Sequence, residues 1–143
     1  MKILEIQTEK RLLGNLGERA AAKYLKKNGY KIAKRNFVAE GHEIDLIAET
    51  RDTVVFVEVK TRTIGTSTAY ESRPAAAVTP EKQRGIIKAA QIYAAFNPRG
   101  KKLRFDIVEV YVLTKDNRKT VAEIKHLISA FNKNTAYPAH HGW

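Results

Sequence analysis

Residues Glu43 to Lys60 place the tightest limit on what this chain can fold into, because two β-branched, apolar runs there carry carboxylates where a buried strand ordinarily has none. Glu43-Ile44-Asp45-Leu46-Ile47-Ala48-Glu49 and Thr53-Val54-Val55-Phe56-Val57-Glu58-Val59-Lys60 flank a short polar segment, which reads as a β-hairpin. In the second run, Val55, Val57 and Val59 share one face, while Val54, Phe56, Glu58 and Lys60 share the other. Both faces are largely apolar, so the strand is expected to be central. In the first run, the same alternation groups Glu43, Asp45 and Ile47 opposite Ile44, Leu46 and Ala48.

A four-residue turn, Thr50 to Thr53, pairs Glu49 with Val54. It thereby sets Asp45 across from Glu58 and Glu43 across from Lys60, with opposed Cβ atoms roughly 5 Å apart. A two-residue turn leaves Asp45 diagonal to Glu58 on the same face, and only an odd loop separates them. Two half-buried carboxylates so close repel each other and raise one pKa unless something positive lies between them. A divalent cation fits that gap, and hard oxygen ligands suit Mg2+ or Mn2+. Lys60, on the same face, reaches a cation-held water or a phosphate oxygen. The plainer alternative is a surface Glu-Lys ion pair worth under about 1 kcal/mol. It leaves Asp45 unexplained.

The charge balance points the same way. Lys and Arg outnumber Asp and Glu by 26 to 15, a formal +11, with a pI near 9.9. Such a surplus favours a polyanion, either nucleic acid or an anionic membrane. No run approaches the roughly 18 apolar residues of a membrane span, and the N-terminus has no signal-peptide core. Nucleic acid is the expected partner, with no membrane. The absence of cysteine excludes disulfides, thiolate zinc sites and cysteine nucleophiles, and it agrees with the expected cytoplasmic location. A chain of 143 residues suits one domain. Its core is expected over about 12–131, with 132–143 a loose tail.

Along the chain, Met1 to Lys10 has no pattern. Leu13, Leu16, Ala20 and Tyr24 form a helical stripe over about Leu12 to Asn28. Glu18 lies beside it, in line with Gly14, Ala21, Ala22 and Leu25. Gly14 and Gly17 cost a helix about 1 kcal/mol each relative to Ala, which suggests either a loop or a close approach of another chain. Tyr30 to Ala39 reads as a strand whose Lys31, Lys34 and Arg35 face solvent or a phosphate backbone. His42 at the next strand's entry reads as structural or exposed. The polar stretch from Thr61 to Arg73 reads as a long loop, either disordered or a flap carrying Arg62, Tyr70 and Arg73 to substrate. Thr79-Pro80-Glu81 starts a second helix with an N-cap and a first-turn proline, and Ile86, Ala89, Ala90 and Tyr93 form its apolar stripe. Phe105 to Leu113 reads as a strand. Val121 to Lys125 reads as a short strand before a helical turn.

The whole, helix, three strands, loop, helix and further strands, is an α/β domain with a mixed central sheet flanked by helices. Asp45 followed thirteen residues later by Glu58-Val59-Lys60 resembles the PD-(D/E)XK signature of restriction-endonuclease-like nucleases. With Gly14-Asn15-Leu16-Gly17-Glu18, Glu43-Ile44-Asp45-Leu46-Ile47, Phe56-Val57-Glu58-Val59-Lys60-Thr61-Arg62 and Arg104-Phe105-Asp106, the chain from about Leu12 to Phe131 resembles the bacterial YraN-like family. That family is similar in fold to archaeal Holliday junction resolvases.

The resemblance implies a restriction-endonuclease-like topology and a metal-dependent DNA endonuclease, possible targets including branched DNA. Asp45, Glu58 and the Val59 carbonyl would hold the ion, and Lys60 would orient or activate water. Glu18 would act as accessory ligand or base, Glu43 would stand close by, and Lys82 or Gln83 would assist from the second helix. By analogy with the resolvases it also implies a homodimer. The alternative is a nuclease-like module that grips nucleic acid through Lys31, Lys34, Arg35, Arg62 and Arg73 without cutting it.

Overall fold

The computed structural model describes residues 2–64, 78–98 and 100–138. The chain runs α1 (Lys2–Lys27), β1 (Lys31–Ala39), β2 (His42–Glu49), β3 (Thr53–Ile64), α2 (Pro80–Phe96), β4 (Lys102–Lys115), β5 (Arg118–Phe131) and α3 (Lys133–Ala136). The strands form one sheet in sequence order, antiparallel except for the parallel pair β3 and β4. Parallel neighbours need a crossover, and α2 supplies it. This is the mixed, helix-flanked α/β sheet that the sequence predicts.

Alternation decides what each face meets. Val54 and Phe56 point toward α2 and pack with Ile47, Ile86, Ala90 and Tyr93. Val55 and Val57 point toward α1 and pack with Leu46, Val108, Ala21 and Leu25. Phe56 is fully buried, so Phe56→Ala is expected to cost about 3–5 kcal/mol. Ile44 departs from the expected alternation: it packs with Ile47 on the α2 face rather than with Leu46 and Ala48.

Several boundaries differ from the sequence reading, each for a physical reason. Helix α1 begins at Lys2, not near Leu12. Residues 2–10 are all exposed, so no apolar periodicity marks their helix. Gly14 and Gly17 lie inside α1 rather than in a loop. At Gly17 a Cβ would overlap the Thr61 hydroxyl, so this glycine lets the helix sit directly on β3. The buried side of α1 is accordingly its small-residue flank, Gly17, Ala21, Ala22 and Leu25, with Leu13, Leu16, Ala20 and Tyr24 partly buried beside it.

Strand β3 continues to Ile64, because Thr61 to Ile64 pair with Val110 to Leu113, so the loop starts later than Thr61. Tyr70 and Arg73 lie outside the described residues. Strand β5 is continuous to Phe131 and has no helical turn. Two register shifts against β4 and a positive φ at Ser129 scramble its period. The segment expected to be loose contains α3, where Asn132 and Thr135 form a capping box and Arg84 Nη1 donates to the Ala136 carbonyl. Residues 139–143 lie outside the description.

Candidate active site

The hairpin register places the first two carboxylates. Glu49 pairs with Val54 and Leu46 with Val57, as the four-residue turn requires, so the next positions along the register are Asp45 and Glu58. The ladder stops there, although β2 continues back to His42 and β3 on to Ile64. The strands therefore part at Asp45 and Glu58. In place of a ladder bond, the Val59 amide donates to Asp45 Oδ2 at 2.8 Å. Glu43 is not paired with Lys60, contrary to the simple extension of the hairpin.

A cleft of about 340 Å3 opens at the split, lined by Gly41, His42, Glu43, Asp45, Glu58 and Lys82, with Ile86 beneath. Lys82 arrives from α2. Thr79 caps that helix through its Oγ1, which accepts from the Lys82 amide at 3.1 Å, and Pro80 opens the first turn as expected. This fixes Lys82 at the helix start, and its Nζ lies 2.9 Å from Glu58 Oε1. Lys60 Nζ stands 3.9 Å from the same oxygen. Gln83, one residue on, is not brought to the carboxylates. It is buried, donating to the Val78 carbonyl and accepting from the Thr135 hydroxyl. His42 packs against Gly85, where a Cβ would collide with its ring, in keeping with a structural reading.

A further carboxylate comes from the other side and meets Glu43 of β2 there. Helix α1, seated by Gly17, brings Glu18 to Glu43 and Asp45, and one oxygen from each of the three lies within 4.8 Å of the others. With its amide turned to suit both, Asn36 donates to Glu18 and Glu43, at 3.2 Å each. Asp45 thus belongs to two acidic groupings, one with Glu58 and one with Glu18 and Glu43.

The electrostatics follow. Burial, and then the charge of Glu58, push Asp45 up to about 7, against the Val59 hydrogen bond and Lys82. Glu18 is raised by burial and by Glu43. Lys60 is lowered, first by burial and also by Lys82, against the pull of Glu58. Burial also disfavours the charge on Lys82, but its hydrogen bond to Glu58 prevails and raises it.

The cationic residues expected at a nucleic-acid surface divide. Lys31, Lys34 and Arg35 are exposed on the edge strand β1, with Arg35 near enough to Glu18 to offset part of its shift. Arg62 is on β3, its Nε 3.1 Å from Glu109 Oε2. Glu109 and Asn36 were not singled out by the sequence. The signal for Glu109 was there, an acidic residue inside the apolar run Phe105 to Leu113, of the same kind that marks Glu58.

Among the described residues, no helix is long and apolar enough to cross a membrane. A 42% identical protein of Caldanaerobacter subterraneus, UPF0102 protein TTE1452, aligns over 126 residues, 87% of this chain and 98% of its own length. A UPF0102 protein of Syntrophomonas wolfei is 45% identical over 85% of this chain and 98% of its own. Another, from Chlorobium phaeobacteroides, is 36% identical over 88% of this chain. The profile described as uncharacterised protein family UPF0102 matches residues 17–110, from the seating glycine of α1 through both hairpin carboxylates and on to β4. The chain therefore belongs to the UPF0102, or YraN, family.

Proposed function

We propose that the protein hydrolyses phosphodiester bonds of DNA at the cleft where β2 and β3 part, with Mg2+ or Mn2+ as cofactor. The observation that carries this reading is Asp45, a carboxylate sunk beside Glu58, Glu18 and Glu43 and left short of positive charge. Such a group needs a cation or a proton. The donor set fits the cation, because every candidate ligand is a hard oxygen. Asp45, Glu58 and the Val59 carbonyl would hold it, with Glu18 and Glu43 helping to place a second ion or a water. A divalent ion bound there supplies acidified water and neutralises phosphate charge.

The side chains do the rest. The Val59 amide fixes the Asp45 carboxylate through Oδ2. Lys60, 3.9 Å from Glu58 Oε1, would orient or activate the attacking water. The +11 surplus draws the polyanion toward an acidic cleft that would otherwise repel it. A symmetric dimer accompanies this reading if both strands of a duplex are cut, and light scattering on the eluting protein measures it.

One observation favours a non-catalytic binding module instead. Lys82 already sits on Glu58 at 2.9 Å, where it supplies part of the missing charge. The two readings separate on one set of samples: linear duplex, single-stranded and four-way-junction DNA, each labelled and incubated with Mg2+ or Mn2+. The enzyme predicts cutting that falls about 100-fold or more in Asp45→Ala and Lys60→Ala. It also predicts a metal-induced rise in melting temperature that Asp45→Asn removes. Binding without cutting on every substrate identifies the module, and no binding at all rejects both.

A further inference from the structure

Beyond the cleft, the same face of β3 carries a second charged constellation. Strand alternation puts Lys60 and Arg62 on the side of Glu58, and the parallel register sets Glu109 beside Lys60 and Tyr111 beside Arg62. Two residues of strand span about 6.6 Å, and each strand of a nucleic-acid duplex presents a phosphate roughly every 3.4 Å of helix axis. Arg62 is therefore about two nucleotide steps from Lys60 along that axis.

Its surroundings are specific. Glu109 and Tyr111 are both fully buried. The Tyr111 hydroxyl donates to Glu109 Oε1 at 2.7 Å, and Arg62 Nε donates to Glu109 Oε2 at 3.1 Å. A carboxylate without solvent contact requires a charged partner, yet this partner is engaged only through Nε. Among the described residues, the two terminal nitrogens of Arg62 have no hydrogen-bond partner, and its side chain is 37% exposed. A guanidinium held at one edge presents the other as a planar fork, which matches two oxygens of a phosphate.

We infer that Glu109, held in turn by Tyr111, is a positioning residue that aims the Arg62 fork at a backbone phosphate about two steps from the one at the cleft. The inference rests on the proposed function in that it needs a nucleic-acid ligand. It does not need cutting. The Arg62-Glu109 pair is then part of the grip on substrate and not merely a bond between neighbouring strands.

The sign of one substitution separates positioning from bulk charge. Glu109→Gln makes the protein more positive by one, so a purely electrostatic surface binds DNA more tightly. Positioning predicts weaker binding, because the fork is released. The measurement is fluorescence anisotropy of labelled single-stranded and duplex DNA in chelator, across a salt series, for the wild type, Arg62→Ala, Arg62→Lys and Glu109→Gln. Expected are a loss of roughly 5- to 20-fold for Arg62→Ala with the salt slope reduced by about one, a partial loss for Arg62→Lys, and a loss of about 3-fold for Glu109→Gln. Tighter binding by Glu109→Gln, or wild-type affinity in Arg62→Ala, overturns the inference and leaves the proposed function standing. If Glu109→Gln fails to fold, the Arg62 pair decides alone: equal affinities for Ala and Lys reject the fork. A wild type that binds neither of these DNAs nor a four-way junction, with Ca2+ as well as in chelator, overturns both.

Discussion

Asp106 and Asp45 are two carboxylates sunk into one sheet, and their surroundings could hardly differ more. Asp106 is fully buried on the α1 face, with Arg104 bidentate on it at 2.9 and 2.7 Å, His126 Nε2 at 2.7 Å and the Ser129 amide at 2.9 Å. Because the carboxylate only accepts, Nε2 carries the proton. In the neutral ring Nδ1 then accepts from the Tyr24 hydroxyl at 3.2 Å. Burial alone would raise Asp106, but the hydrogen bonds from His126, Arg104 and Ser129 outweigh it and hold the group below its ordinary value. Asp45 has one backbone donor and acidic neighbours, and burial carries it the other way. Burial alone therefore does not decide what a carboxylate does. The fully bonded carboxylate fastens α1, β4 and β5 together, whereas Asp45, held by one amide among acidic neighbours, has its charge only partly compensated.

The sharpest way to break this contrast is Asp106→Ala. It leaves the half-buried Arg104 and the buried His126 without their shared partner and is expected to cost about 3–5 kcal/mol in a urea titration. A cost below about 1 kcal/mol would show that the network is not what holds α1 to the sheet.

The opposite sign is expected at the cleft. The folded-state value of Asp45, about 7, lies above its ordinary 3.8, so ionising it opposes folding progressively as the pH rises between those values, and fully above about 7. Asp45→Asn removes the burden. It should stabilise the metal-free protein by about 1–3 kcal/mol near pH 8, with the gain vanishing below about pH 4. Asp106, held below its ordinary value, contributes stability that is present above about pH 4 and is lost as pH falls through its folded value. Urea titrations of the wild type and Asp45→Asn across that range measure both slopes. A destabilised Asp45→Asn at pH 8 contradicts the comparison.

The smallest effect concerns Lys82. Because its amine already partly neutralises Glu58, Lys82→Ala should tighten Mg2+ binding by about 3- to 10-fold, roughly 1 kcal/mol, in calorimetric titration. Unchanged or weaker binding would mean that the amine and the cation do not compete.

Within this molecule, what could be read in advance was whatever is periodic and local. The turn between Glu49 and Val54 and the two-residue alternation were enough to bring Asp45 and Glu58 to one place, and Thr79-Pro80 was enough to start α2. The solvated first turns of α1 and the bulged strand β5 were not legible. The first buries nothing, and the second changes phase where its register shifts. The second half of each charged cluster was equally hidden. Lys82 meets Glu58 across 24 positions, Arg62 meets Glu109 across 47 and Tyr24 meets His126 across 102.

The sequence by itself determined the hairpin, its two acidic groups with the lysine alongside, and the positive charge, because a strand's neighbours are set by a period of two. Only the tertiary structure decided which carboxylates are satisfied. That depends on which elements close over each one: β5 brings His126 and Ser129 to Asp106, while α1 packed at Gly17 and the capped start of α2 bring Glu18 and Lys82 to Asp45 and Glu58.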